Sequence, residues 1–181
     1  MGQSQAVVTV NNFDIGPCRV TFDGVDLGGT LSNVVVNFKY EKAPLKADQH
    51  GTSLLDEAIS GIEVTVETEV AEVKDKDTLK KVFPNSTLVS VAGPPAQKAL
   101  DFEDQIATRM LANSKVLILH PLQYADANLD YDWYFYKAMP SEESSYTLGP
   151  SEQGKMKIVW KVYLDLTQTP PKMFRIGDNT I

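Results

Sequence analysis

Residues Ile62–Val73 read IEVTVETEVAEV. In an extended chain Ile62, Val64, Val66 and Val70 project to one side, and Glu63, Thr65, Glu67 and Glu69 to the other. A period of two held this long specifies a strand buried on one face only, as antiparallel sheets allow. The same alternation extends outward from this segment. Val34–Tyr40 (VVVNFKY) places Val34, Val36, Phe38 and Tyr40 on one face, with Asn37, Lys39 and then Glu41 on the other. Ala6–Val10 and Cys18–Phe22 are short β-branched runs, and Asp23–Gly29 (DGVDLGG) reads as an Asp-Gly hairpin turn. Thr87–Val91, Lys115–Leu119, Trp133–Met139 and Lys155–Leu166 are further strands. In the last, Met156, Ile158, Trp160, Val162 and Leu164 share a face opposite Lys155, Lys157, Lys161 and Asp165.

Two helices interrupt this order. The first has Asp77 as its N-cap, Thr78–Phe83 as its body and Pro84 as its stop. Gly93–Pro95 breaks the chain before the second. That helix starts at Asp101, carries Asp104 in its first turn, and shows Phe102, Ile106 and Met110 as a stripe. The expected class is mainly β: a sandwich or partial barrel of about seven or eight strands with one or two flanking helices.

The 181 residues suit one domain, with Lys+Arg at 17 against Asp+Glu at 24 and a net charge of −7. That balance excludes a protein that grips nucleic acid through a basic stripe. A single cysteine, Cys18, excludes a disulfide framework and a multi-cysteine zinc site. It reads as a small buried thiol. His50 and His120 are the only histidines, too few bases for nucleophilic catalysis to be favoured, and His120 reads as a loop or core residue. The chain is therefore expected to be no enzyme and to need no cofactor. No apolar run is long enough to span a bilayer, and MGQSQAVV lacks the features of a secretory signal, so synthesis and assembly in the cytoplasm are expected. Asp126, Asn128, Asp130 and Asp132 alternate like calcium-loop ligands. Tyr131 and Lys137 then stand where such a loop needs glycine and a bidentate glutamate, so a solvated acidic loop is expected and no metal.

Residues 41–61 show no alternation and contain Pro44 and Gly51, with one helical turn expected over Leu54–Ile59. A loop of that length inside one domain usually has a task. Leu45, Leu54 and Leu55 are its apolar anchors, and Lys42, Lys46, Asp48 and Asp56 its polar rim, with His50 among them. The plain alternative is a floppy surface loop. The tail, residues 167–181, reads as a possible arm.

The stretch from about Gly24 to Pro84 resembles the tail tube proteins of long-tailed bacteriophages. The residues that carry the resemblance are GVDLGGT, VVVNFKY, ADQHGTSLLDEAISG (Ala47–Gly61), IEVTVETEVAEV and DKDTLKKVFP. The family pattern falls on Asp48, Gly51, Thr52, Leu55, Asp56, Gly61, Ala71 and Glu72. The resemblance covers about a third of the chain. It implies a virion protein whose subunits form hexameric rings that stack into the tube for genome ejection. The loop, with Leu45, Lys46, Asp48, His50, Leu54, Leu55 and Asp56, would contact the adjacent ring. The implied partners are further copies of the chain, the tail terminator, tape measure and baseplate proteins, and double-stranded DNA in transit, with no membrane. Ring proteins of type VI secretion and tube proteins of contractile systems are similar in fold.

Six subunits giving about four strands each would close a shared barrel with a lumen of roughly 35–40 Å, wide enough for duplex DNA. Glu63, Glu67 and Glu69, with Thr65, are expected to face that lumen as an acidic wall that repels phosphates, and the valines to pack beneath the helix. The lysine-bearing strand is expected outside or against neighbours. A monomeric sandwich that binds calcium or a glycan through Asp126–Asp132 and Trp133–Tyr136 is the main alternative, and a small hydrolase the weakest.

Overall fold

The computed structural model describes residues 16–46, 48–50, 52–71, 75–93, 97–104, 106–107, 109–141, 144–151 and 153–180. The expected strand Ala6–Val10, together with Gly51, Glu72, Val73, Pro94 and Pro95, lies outside them. The chain forms β1 (Cys18–Phe22), β2 (Val25–Asp26), β3 (Val35–Leu45), β4 (Asp56–Val70), α1 (Lys76–Val82), β5 (Ser86–Val91), β6 (Gln97–Phe102), α2 (Met110–Asn113), β7 (Lys115–Pro121), β8 (Trp133–Pro140), β9 (Ser145–Thr147), β10 (Lys155–Val162) and β11 (Phe174–Ile176). The mainly-β class expected from alternation is the one observed.

One antiparallel sheet runs β2-β1-β7-β8-β10-β4-β3, with β11 added to β8 and β9 to β10; β5 and β6 form a separate hairpin. The large sheet curls. Phe22 of β1 and Trp160 of β10 are three strands apart, about 14 Å in a flat sheet, yet their rings lie 4.7 Å apart. Farther along, Phe38 of β3 reaches Phe174 of β11 at 5.3 Å and Trp133 of β8 at 6.0 Å. Thr30 spans the gap between two walls: it pairs with Val70, and its hydroxyl donates to the Cys18 carbonyl at 3.1 Å. The result is a partial barrel that does not close.

Its interior is filled by Val20, Phe22, Val64, Val66, Leu117, Phe135, Ile158 and Trp160. The alternation of β4 is borne out from Val64 onward: Val64, Val66, Thr68 and Val70 are buried while the residues between them are half-exposed, but Ile62, expected in the same row, is 42% exposed. Thr68 is the one polar side chain in that inward row. Its hydroxyl accepts from the Trp160 indole N–H at 2.9 Å, which meets the need of a buried indole for a partner. The Asp-Gly turn is also found. Asp23 and Gly24 both have positive φ, 50° and 74°, as a two-residue hairpin of this twist requires.

Several boundaries differ from the sequence reading. Asp75, not Asp77, caps α1: its carboxylate accepts from the Asp77 N–H at 3.0 Å and the Thr78 hydroxyl at 2.7 Å. Asp77 is left to pair with Lys98. α1 covers the end of β4, with Leu79 and Val82 over Val70, Leu27 and Ile158. The helix expected from Asp101 is absent. Gln97–Phe102 is a strand paired with Ser86–Val91, and only Met110–Asn113 is helical there. The four-residue spacing of Phe102, Ile106 and Met110 matched a helix, but the hairpin partner across Gly93 claims the backbone hydrogen bonds first. The last long strand stops at Val162 rather than Leu166. The tail is no free arm: β11 pairs with Trp133–Phe135, and Lys172 bridges to Asp165.

Candidate functional site

Two features stand out: the outer face of β4 and the far half of the β3–β4 hairpin. Residues directly opposite in a sheet share a face. The register sets Lys39 opposite Glu63, Asn37 opposite Thr65, Lys161 opposite Thr65 and Lys157 opposite Glu69. Glu63, Thr65, Glu67 and Glu69 are thus brought together on one half-exposed surface, as the alternation requires.

The lysines of β10 lie on that same surface, which corrects the expectation that they would sit elsewhere. Glu69 pairs with Lys155 at 3.3 Å, Glu67 with Lys157 at 2.6 Å and Glu63 with Lys161 at 3.1 Å. Lys39 approaches Glu63 from the other side at 3.7 Å, and the Asn37 amide donates to Glu67 at 3.2 Å. The hydrogen bond from Lys161, then its charge, holds the Glu63 carboxyl below the ordinary glutamate range. Lys157 does the same for Glu67, against a smaller opposing effect of burial. The face is therefore a ladder of alternating charge and not the acidic field expected. Met110 of α2 and Tyr163 rim a shallow groove of about 460 Å³ along it.

The segment expected as a 20-residue loop is mostly strand. Lys42–Leu45 pairs with Asp56–Ile59, so β3 and β4 continue past the body of the sheet as a two-stranded arm. The helical turn expected over Leu54–Ile59 is absent. A register shift at Glu41/Lys42 leaves Ser60 as the extra residue of a bulge, the usual way to bend and twist a hairpin. A 3-10 turn, Asp48–His50, sits near the tip, and the Leu55 N–H closes onto the Leu45 carbonyl at 3.0 Å. The Lys42–Glu57 ion pair, 3.0 Å, crosses the arm.

Among the described residues, the strands of this arm pair only with each other. Leu45, Lys46, His50, Leu54, Leu55 and Asp56 all gather at its exposed tip. Tyr40, Leu45, Leu54, Leu55 and Ile59 are each at least half exposed, up to 63% at Ile59. Single exposed apolar residues are ordinary, but a concentration on one projecting element marks an interaction surface.

In the alternative site Asp132 is buried against His120, whose Nδ1 lies 2.6 Å from its carboxylate, while Asp126 lies 3.0 Å from Arg19 and 3.8 Å from His120 Nε2. Among the described residues no group of three potential ligands is placed to hold a metal ion. His120 is a core histidine, and burial pushes the Cys18 thiol up to about 11. That is the opposite of what a nucleophile needs.

No protein-family model and no curated protein matches this chain.

Proposed function

We propose that the chain is a structural subunit that assembles with copies of itself into stacked rings, forming the tail tube of a bacteriophage through which DNA passes. The observation that carries this reading is the projecting β3–β4 arm, whose apolar residues and outer strand edge are left in water by the isolated subunit. An open edge with exposed apolar side chains is a template for another chain. Pro44 sits near the tip of this edge strand, opposite Glu57, and edge strands are where a sheet tolerates a residue without an N–H. In the assembled tube the arm contacts the adjacent ring, and the partial barrel joins its neighbours into a shared wall.

The ladder face of β3, β4 and β10 lines the bore in this proposal. With lysine and glutamate alternating, phosphates meet no basic stripe and release few counterions, so the duplex stays mobile. The expected strongly acidic lumen gives way to a nearly balanced one.

Light scattering on a sizing column, with negative-stain imaging, tests the proposal. Rings or tubes are expected as concentration rises. Deleting Lys46–Ser53 is expected to leave the unfolding transition in place and remove the tubes. A monomer at every concentration contradicts assembly; tubes from the deletion variant contradict the role of the arm.

A further inference from the structure

We infer that the cleft between the outer face of β8 and the C-terminal segment is an oxyanion site that takes a phosphate group. Lys137, Lys172 and Arg175 converge there beside Tyr134 and Tyr136, around a space of about 450 Å³. All three cations are half-buried. On the β4 ladder each β10 lysine has a glutamate within ion-pair distance. In the cleft, among the described residues, neither Lys137 nor Lys172 has one.

Two carboxylates are close by; each is engaged in its own turn, and each also acts through its charge on a cation of the cleft, Asp165 on Lys137 and Asp178 on Arg175. Asp165 accepts from the Thr167 N–H at 3.1 Å, the Thr167 hydroxyl at 2.8 Å and the Gln168 amide at 3.3 Å. Asp178 accepts from the Thr180 N–H at 2.8 Å and the Thr180 hydroxyl at 2.7 Å. The Arg175 guanidinium donates to the Asp178 carbonyl at 3.1 Å, which fixes the plane of its fork. Keeping ammonium groups partly out of water without a carboxylate in ion-pair contact costs free energy, and here the nearest acid, Asp165, acts on Lys137 only through its charge. The lining holds one carboxylate, Asp165, against three cations, so the cleft keeps a net positive charge.

Around the space stand two lysines, an arginine and two tyrosines, with Asp165 as the single carboxylate of the lining. A tetrahedral dianion accepts more hydrogen bonds than a carboxylate does, and it offsets the excess positive charge. The tyrosine rings, edge to face at 5.0 Å, form a wall for the organic part of a phosphate monoester.

Titration calorimetry at low salt, with inorganic phosphate, adenosine monophosphate and a glutamate-rich peptide, tests this. Both phosphates are expected to bind and the peptide not to. The double variant Lys137→Gln/Lys172→Gln is expected to bind phosphate about a hundredfold more weakly, at about tenfold per lost charged contact. Phosphate is also expected to raise the melting temperature of the unaltered chain, a readout that needs no variant. No phosphate heat, equal affinity in a folded double variant, or binding of the peptide only would overturn the assignment.

Discussion

The two ends of β4 are one strand in one hairpin, yet they live in different environments. From Val64 to Glu67 it is flanked by β3 and β10, β10 continues beside it to Val70, and every second side chain is buried. From Asp56 to Ser60 it has β3 as its only partner among the described residues, and every residue is exposed. The backbone hydrogen bonds are the same in kind. What differs is apolar surface removed from water, worth about 25 cal/mol per Å², and two-stranded ribbons without it are marginal in water. The body end is held by the chain itself. The arm end is a structure awaiting a second surface.

The largest expected contrast is in stability. Trp160→Ala, at the heart of the body, is expected to cost about 3–5 kcal/mol by urea unfolding, from the cavity and the lost hydrogen bond to the Thr68 hydroxyl. Ile59→Ala in the arm is expected to change stability by no more than about 0.5 kcal/mol. Comparable losses at both sites would mean that the arm is packed within the isolated subunit.

A smaller effect separates the ladder face from the arm by pH. Glu63 and Glu67 are held below the ordinary glutamate range by Lys161 and Lys157. A carboxyl depressed in the folded state stabilises it above its unfolded value, and that contribution fades as pH falls through the folded value. The urea midpoint is therefore expected to drop below about pH 5, and less steeply in Glu63→Gln/Glu67→Gln. Salt is expected to shrink the difference, because both carboxylates are open to solvent. An unchanged pH profile in that variant would show that the ladder contributes nothing to folding.

Much of the body was legible from residues. The alternation of Val64–Val70 marked which face of β4 is buried, and Asp23-Gly24 marked the first hairpin. Both are local signals. The arm was not legible, because alternation records burial on one side, and both faces of Lys42–Leu45 and Asp56–Ile59 meet water. The charge of the ladder was not legible either. Each strand showed its own polar face, but the pairing that sets Lys155 on Glu69 joins residues 86 positions apart. Gln97–Phe102 failed for the converse reason: a helical spacing was present locally, and a strand partner overrode it.

The contrast within β4 is tested most directly by amide hydrogen exchange, on dilute monomer and on concentrated protein. The account predicts that amides of the β3–β4 arm exchange quickly when dilute and at least about tenfold more slowly when concentrated, while those of Val64–Val70 hardly change. Arm amides whose exchange is the same in both samples would contradict the claim that the arm is completed by another copy of the chain.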